Sequence, residues 1–563
     1  MQAGAADTTD GDITIRISAA RITTVAVAQL GKKTALGSSI TAWIFVTSGM
    51  QGRKNYSEKL FLSFQLSERI PKDNFYRRLR ETLDLQSIYS DTHDLYGRTG
   101  NPSIDPVVFR PATRFKLTLT GYLENITSDR KLVEHCSMRM DILYFLGYDI
   151  DEQLPWHSTI SRTRQLYPAA VFESLFNKVF TLCVDKGMVS GHTQAMDSAP
   201  VKANASMESL ELKRPFQSIE RHFEALDSEN QEPVIAATAS TVGLITAPQH
   251  ELNRVKHVHD KLRKNPVGAS GASHEKAQLF SNKTHYSPND PDARISVKPG
   301  KARKLNYHCS MSVDTAEGVI SHIQADFADG RDSQYLPAMT VKVQNRLKAN
   351  ELRMTDLLAD AGYSNGPNYE FLELRNITGW IPVFGMYKPE REGLIYDKEK
   401  NQFICAMGKT IPFKNFEQTS DGRLLKGYRA SRKDCLPCVL KDACTPKSPF
   451  KRIQTTAYDE HYRRAHHRQL SKRGYQMKRL RQSTVEPVFG SLVYHYGLKK
   501  INVIGKAGAH KVMLMAATCF NLKKYLKSLT RRTQKSEALE DTRPIIRRYV
   551  RTSPIFPVFS HAF

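Results

Sequence analysis

A short apolar run that ends in an acid constrains this chain more than any other feature. Leu357–Ala359 is followed by Asp360, and glycine, serine, asparagine and proline then dominate residues 362–367. Such residues interrupt a strand, so the pattern predicts a strand, a helix over residues 368–376 and a second strand over residues 380–383. Open α/β sheets bind ligands at the carboxyl ends of their strands. Asp360 is therefore a candidate for chemistry, although a turn or a helix cap more often explains a single aspartate in this position.

The charge of the chain points to a polyanionic partner. Its 563 residues have a formal net charge of +25, and the pI is near 9.6. Such an excess opposes compaction by itself and is typical of proteins that bind nucleic acid. The sequence has no apolar run of about 18 residues, so it predicts no membrane-spanning helix. Eight cysteines in so long a chain predict reduced thiols in a cytoplasmic protein.

The character of the sequence changes several times along the chain. Residues 1–49 show little helical or strand periodicity, and one hypothesis is that they are upstream read-through before a natural start at Met50. Residues 50–165 predict a helical domain, in which Pro111 predicts a break between two apolar segments. The later predicted segments are the first part of an α/β core (190–383, with an insertion at about 201–303), a cysteine-containing basic insertion (384–470), the end of the core (471–527) and a basic tail (528–563).

A second acid lies on another predicted strand. Residues 192–200 predict a strand that ends at Asp197. Between the two acids the sequence predicts a strand pair and a helix, over residues 307–313, 319–327 and 336–347. The resulting order is strand, strand, strand, helix, strand, helix, strand, with an acid on the first and fourth strands. This is the order of a ribonuclease-H-like core.

A third acid, Glu486, lies in a basic segment near the predicted start of a helix. Ser483 and Glu486 also match a capping box, and Pro487 suits the first turn of a helix. A helix-capping role and a catalytic role therefore explain the presence of Glu486 about equally well.

Four cysteines form a separate candidate for metal binding: Cys405, Cys435, Cys438 and Cys444. Cys435 and Cys438 have the spacing of zinc ligands, whereas the gaps to Cys405 and Cys444 fit a zinc knuckle less well. A structural Zn²⁺ and reduced thiols without metal both stay open.

Several basic residues are candidates for DNA contact: Arg162, Arg164, Lys478, Arg479, Arg481, Lys499 and Lys500. The first two lie on a short predicted helix that could enter a major groove, and the others lie on either side of Glu486. Basic clusters neutralise phosphates, although each cluster alone is more often a solvated surface. Together with the net charge, they favour DNA contact.

The three acids resemble the Asp-Asp-Glu triad of bacterial insertion-sequence transposases, which have a helical N-terminal DNA-binding domain before a split ribonuclease-H-like core. The resemblance extends over most of residues 50–527. The stretches on which it rests are Gly100–Val107, Gly121–His135, Pro155–Arg162, Met196–Ser206, Asp290–Arg294, Ala359–Asn365 and Glu486–Gly490.

The resemblance implies an α/β fold and a DNA transposase that cuts transposon ends and joins the freed 3′-hydroxyl to target DNA. Asp197 would bridge two Mg²⁺ or Mn²⁺ ions, and Asp360 and Glu486 would each hold one of them. The implied partner is double-stranded DNA, namely terminal inverted repeats and target, bound by a homo-oligomer such as a dimer on the bacterial nucleoid.

Two alternative functions stay open. One is a metal-dependent nuclease that does not join strands, and the other is an inactive DNA-binding remnant. Residues 1–49 and the interruption at residues 110–114 favour the remnant.

Overall fold

A computed structural model describes residues 27–33, 39–45, 64–92, 111–215, 244–264, 280–296, 302–385, 387–419 and 422–552. The stretch Gly100–Val107 and parts of the predicted insertion and tail lie outside the described residues. The chain divides into two compact units, residues 1–65 and 66–563. In the first unit, strands β1 (Val27–Lys33) and β2 (Ser39–Phe45) pair antiparallel, although the sequence there shows little strand periodicity.

Helices form the beginning of the second unit. They are α1 (Leu66–Arg69), α2 (Phe75–Thr82), α3 (Gln86–Thr92), α4 (Pro111–Leu123), α5 (Asp129–Ser137), α6 (Met140–Leu146), α7 (His157–Leu166) and α8 (Ala169–Asp185). Pro111 is the first residue of α4. A backbone N–H at this position would have no partner within the helix, so proline is tolerated there although it lacks an N–H. Pro111 thus does not lie inside a helix, as the sequence predicted, and the segment before it lies outside the described residues.

A mixed sheet follows these helices. The strands from here to residue 380 are β3 (Thr193–Lys202), β4 (Glu211–Leu212), β5 (Arg214–Pro215), β6 (Thr246–Ala247), β7 (His285–Tyr286), β8 (Arg294–Ser296), β9 (Lys304–Asp314), β10 (Ile320–Phe327), β11 (Asp356–Leu358) and β12 (Thr378–Trp380). The sheet has the order β10-β9-β3-β11-β12, and β8 also pairs with β9. β9 is antiparallel to β3 and β10, whereas β11 is parallel to β3 and β12. The predicted strand pair at residues 307–313 and 319–327 is confirmed.

Three helices occur along this part of the chain: α9 (Gln249–Lys264), α10 (Asp332–Ala349) and α11 (Gly366–Leu374). α10 connects β10 to β11, and α11 connects the parallel strands β11 and β12, which cannot be joined by a tight hairpin. Both helices had been predicted from the sequence, and the structure confirms them with slightly different ends.

A second sheet lies within residues 394–456. Its antiparallel strands are β13 (Leu394–Asp397), β14 (Gln402–Cys405), β15 (Thr410–Gln418), β16 (Leu424–Arg429) and β17 (Arg452–Thr456), with the short helices α12 (Arg432–Cys435) and α13 (Lys441–Cys444) between the last two strands. It has a small apolar core of its own, which includes Phe403, Ile411 and Tyr428.

Three helices complete the chain: α14 (Asp459–Leu470), α15 (Lys472–His495) and α16 (Lys506–Thr552). α15 begins after Ser471, whose hydroxyl accepts a hydrogen bond from Gly474 N at 3.0 Å. Glu486 therefore lies in the middle of a helix, and the predicted helix start near this residue is wrong. The helix continues past Pro487 because Val485 and Val488 are buried against the core.

One hydrophobic core joins the N-terminal helices to α16. It includes Leu119 of α4, Phe172 of α8 and Met513 of α16, all of them buried. Lys511 Nζ also donates to the carbonyl oxygen of Arg164 at 3.1 Å. No helix within the described ranges combines the length and apolar content needed to cross a membrane.

Two aspartates from the loop before β8 hold the start of α16. Asp290 Oδ1 accepts hydrogen bonds from the Tyr307 hydroxyl at 2.6 Å and from Gly505 N at 3.1 Å. Asp292 Oδ2 accepts from Lys506 N at 2.8 Å. The N–H groups at a helix start have no partner within the helix and carry partial positive charge, so these carboxylates stabilise the end of α16.

Replacing Asp290 should lower stability more than replacing Asp292. Asp290→Ala removes the partner of the buried Tyr307 hydroxyl as well as that of Gly505, so we expect the free energy of unfolding to fall by about 2–3 kcal/mol. Asp292→Ala removes one bond at a less buried position and should cost about 1 kcal/mol. Urea denaturation of both variants measures the difference. Equal losses would contradict the role given to burial of the Tyr307 hydroxyl.

Candidate active site

The pairing register brings Asp197 and Asp360 to the same level of the mixed sheet. Ala195 on β3 pairs with Leu358 on β11 in parallel register, and each aspartate lies two residues further along its strand direction. β11 ends at Leu358, whereas β3 continues to Lys202. The predicted strand end at Asp197 is therefore wrong. β3 stays extended there because β9 continues to pair with it on the other side.

Asp197 is mostly buried, and its side chain is 20% exposed. Arg481 Nη1, from α15, donates to Asp197 Oδ2 at 2.9 Å, and Ser198 N donates to Oδ1 at 2.8 Å. Burial raises the pKa of Asp197, and the negative charge of Asp360 raises it further, while the Ser198 N–H and Arg481 lower it. Negative charge is therefore costly at this position unless positive charge accompanies it.

Asp360 lies between β11 and a single helical turn, Ala361–Tyr363. Its Oδ1 accepts a hydrogen bond from Gly362 N at 2.9 Å, so it does cap a turn, as the sequence allowed. A Cβ atom on Gly362 would lie 3.0 Å from Asp360 Oδ1 and 2.8 Å from Asp332 Oδ2. Asp332, the first residue of α10, therefore reaches the same place as Asp360. We call Asp197, Asp332 and Asp360 the carboxylate site.

From the sequence, Asp332 is a possible supporting acid, although a helix N-cap is the more common role of an aspartate in such a position. The cap position of α10 is Arg331, and Asp332 is the first residue inside the helix. Its neighbours Ser198 and Tyr363 were not predicted as site residues. Ser198 follows Asp197 directly and Tyr363 is the last residue of the turn after Asp360, so their positions in the sequence could have indicated them.

The structure does not bring Glu486 to the carboxylate site. Glu486 is exposed on α15, and among the described residues it does not form, with Asp197 and Asp360, a group of three acids close enough to hold a metal ion. It lies five residues after Arg481, so the two side chains point about 140° apart around the helix. That Glu486 belongs to the active site remains a prediction.

The carboxylate site has donors that suit a hard divalent cation, since Mg²⁺ and Mn²⁺ prefer carboxylate oxygens. Burial, and to a lesser extent the charge of Asp360, raises the pKa of Asp197, and a bound cation would favour its charged form. In the part of the chain that the structure describes, however, no three His, Cys, Asp or Glu side chains converge closely enough to hold one ion. The carboxylate oxygens are thus of the type that binds a divalent cation, but they do not converge on a single position in this structure.

The four candidate zinc ligands are all free thiols. They too belong to the described residues in which no three such side chains converge. Cys405 and Cys435 pack against the apolar core of the β13–β17 sheet, and Cys444 is exposed.

Of the predicted DNA contacts on α7, only Arg162 is exposed. Arg164 forms an ion pair with Asp129 of α5, and its side chain is 22% exposed. Arg164 therefore helps to hold two helices together, whereas Arg162 is available to a partner.

The other predicted contacts lie on α15 and just beyond its end. Lys478 and Arg479 are exposed on α15, in the turn before Arg481. Lys499 and Lys500 are exposed beyond the end of α15. Lys500 forms a parallel bridge with Lys202, the last residue of the strand that bears Asp197.

Adding one methyl group at Gly362 should destabilise the fold. Gly362→Ala would push against two carboxylates, and we expect the free energy of unfolding to fall by about 1–3 kcal/mol. Gly490→Ala is the control, because Gly490 lies within α15 and a Cβ atom there would meet no other atom within 4 Å. It should leave stability unchanged or raise it by up to about 1 kcal/mol. Urea denaturation tests both, and a Gly362→Ala protein as stable as wild type would contradict the close approach.

Two protein-family models match the chain. A model described as "Transposase domain (DUF772)" matches residues 64–166, which contain α1–α7. A model described as "Transposase DDE domain" matches residues 404–526, which contain α15 and Glu486. Asp197 and Asp360 lie between the two matched segments, and no curated protein matches the chain. Both matches are to transposase domains, in agreement with the resemblance of the sequence to insertion-sequence transposases of the Asp-Asp-Glu class.

Proposed function

We propose that the chain is an active transposase that cleaves the ends of its own element and joins them to target DNA, and that the mixed sheet is a ribonuclease-H-like core. The observation that supports this most directly is the position of Asp197 and Asp360 at one level of neighbouring parallel strands. Along the chain, the strands and helices of this sheet follow the order predicted for that core: β3, β9, β10, α10, β11, α11 and β12.

Asp197 and Asp360 would hold the divalent ions of this reaction, and two Mg²⁺ or Mn²⁺ ions are proposed. When bound, they would supply an activated nucleophile and stabilise charge on the attacked phosphoryl group. Asp197, on a strand that is paired with β9 at this residue, provides a rigid ligand. Asp360 is fixed by its bond from Gly362 N. The protein itself needs no nucleophile, because water and then a DNA 3′-hydroxyl attack the phosphorus.

Arg481 would bind DNA next to the scissile bond. Its guanidinium is 13% exposed and neutralises Asp197. A cation held by Asp197 would take over that neutralisation, and the guanidinium would be free to bind a phosphate in bidentate fashion. Lys478, Arg479, Lys499 and Lys500 would neutralise the adjoining phosphates.

The structure of the N-terminal helices favours an active enzyme over a remnant. Pro111 begins α4, and Phe115 and Leu119 of that helix are buried in the main core. The helical region thus packs normally in the part that the structure describes. We place the active form on the bacterial nucleoid as a homo-oligomer, since two element ends must be joined.

Removing either aspartate should abolish chemistry but not DNA binding. We expect Asp197→Asn and Asp360→Asn to lower Mg²⁺- or Mn²⁺-dependent cleavage of terminal-repeat DNA by more than about a hundredfold, because even outer partners of metal ligands are worth 10–100-fold. Gel-resolved cleavage and joining products measure this. Asp185→Asn, at an exposed carboxylate at the end of α8, is the control and should retain activity.

The same assay separates the alternatives. Cleavage without joined products would identify a nuclease, and metal-independent binding without cleavage by the wild-type chain would identify an inactive remnant. Equal cleavage by wild type and both aspartate variants would reject the carboxylate site.

Glu486 needs a separate test because it is exposed on α15 and is not part of a group of three acids that could hold a metal among the described residues. If it completes the site when DNA is bound, Glu486→Gln should lower cleavage as strongly as Asp360→Asn. Ser483→Ala, at an exposed neighbour on α15, should have little effect. Full activity in Glu486→Gln would remove this residue from the triad and leave the aspartates in place.

A further inference from the structure

We infer that a cleft between the N-terminal helices and the start of α16 binds a nucleotide, with the phosphate beside Arg164 and Lys511 and the base against an apolar wall. The cleft has a volume of about 420 Å³ and is lined by residues of α4, α5, α7, α8 and α16. Small-molecule sites typically have volumes of about 300–1,000 Å³. The inference rests on the proposed function for the kind of ligand, because a protein that cuts DNA handles nucleotides.

Positive charge predominates in this cleft. Arg164 and Lys511 line it, and Lys500 lines an adjoining cavity of about 50 Å³. Among the described residues that line the two cavities, Asp129 is the one acid, and it forms an ion pair with Arg164. Three cations against one carboxylate favour an anionic ligand such as a phosphate.

The ion pair with Asp129 leaves donors of Arg164 for a ligand. Arg164 Nη2 donates to Asp129 Oδ1, whereas Arg164 Nε is buried and makes no hydrogen bond. A guanidinium has five N–H donors in all. Buried nitrogens are usually satisfied by protein or water, so an unsatisfied one indicates a polar group that this region is built to receive.

Lys511 lies in the cleft between two neutral neighbours. Its Nζ donates to the carbonyl oxygen of Arg164 at 3.1 Å and lies 5.7 Å from the centre of the Phe172 ring. Burial lowers the pKa of Lys511, so a positive charge is costly at this position. A bound phosphate would supply the negative charge that these two neighbours lack.

The rest of the lining suits the neutral parts of a nucleotide. Val512 and Met515 are buried and form part of an apolar wall on α16. Ser161, Asn204 and Asn502 supply hydroxyl and amide groups that can bind a sugar or the edge of a base. An inorganic anion would use only the charged part of this lining.

The cleft begins where the strand that bears Asp197 ends. Lys202 is the last residue of β3, and Asn204 lines the cleft two residues later. Lys500 forms the parallel bridge with Lys202 and lines the adjoining cavity. Lys202 lies five residues beyond Asp197, which is about 17 Å along a strand. A DNA strand spans that distance in about five nucleotides, so the cleft would take a nucleotide near the bond that is cut but not at it.

The test is binding of deoxyadenosine monophosphate (dAMP) by the full chain, measured by isothermal titration calorimetry without metal ions. Asn502→Asp puts a carboxylate into the cleft at constant side-chain size, and we expect its repulsion of the phosphate to raise the dAMP dissociation constant about tenfold or more. Asn253→Asp, at an exposed position on α9, changes the net charge equally and should bind as wild type does. Absence of dAMP binding by the wild-type chain, or equal binding by wild type and Asn502→Asp, would overturn the inference.

A second measurement uses the wild-type chain alone. Deoxyadenosine lacks the phosphate and inorganic phosphate lacks the base, so each should bind more weakly than dAMP. Either compound binding as tightly as dAMP would reject a site for a whole nucleotide.

Two DNA duplexes distinguish the sources of the nucleotide. One is fully paired, and the other carries a single unpaired nucleotide. If Asn502→Asp weakens binding of the second duplex alone, the ligand is a nucleotide of DNA. If it weakens dAMP binding and leaves both duplexes unchanged, the ligand is a free nucleotide.

The cleavage assay separates this inference from the proposed function. Cleavage of terminal-repeat DNA by a wild-type chain that does not bind dAMP would reject the cleft and keep the transposase. Binding of dAMP by a wild-type chain that does not cleave DNA would keep the cleft and reject the active enzyme.

Discussion

The structure depends on placing negative charge in a mostly buried position on β3. Asp197 would be costly in the sheet if it had no partners, and here a backbone N–H and the Arg481 guanidinium stabilise its charge. That requirement fixes α15 against the sheet, because Arg481 must approach Asp197 from above β3. The position of the C-terminal helices is therefore coupled to the chemistry of one side chain.

A second buried ionic group ties the helical region to the sheet. Arg346 on α10 donates to the carbonyl oxygen of Ser321 at 2.8 Å and lies 3.7 Å from Glu173 of α8. His510 of α16 lies 3.1 Å from the same glutamate and helps to lower the pKa of Glu173 to about 2. Three helices thus share one carboxylate, and the N-terminal helices are held to the core by charge as well as by apolar packing.

The sequence predicts the local features of the site but not how distant residues meet. Hydrophobic alternation located β9, β10 and β11, and the glycine-rich turn after Asp360 located the end of β11. The continuation of β3 past Asp197 was missed, because it depends on pairing with β9, which periodicity within one segment does not reveal. For the same reason, Glu486 was predicted to lie at a helix start. Pro487 suggests the first turn of a helix, but burial of Val485 and Val488 keeps these residues in the middle of α15. The sequence offered Asp332 as a possible supporting acid, but its place beside Asp360 depends on how α10 enters the sheet and could not be predicted.

The core that α16 shares with α4 and α8 has a consequence for synthesis on the ribosome. The N-terminal helices are made first, but the apolar surface that they present is covered only when Met513 and its neighbours emerge near the end of translation. A chain cut short before α16 would leave that surface in water and become a target for proteolysis. Premature termination of this gene would therefore not leave a stable N-terminal fragment that competes with the full protein for DNA ends.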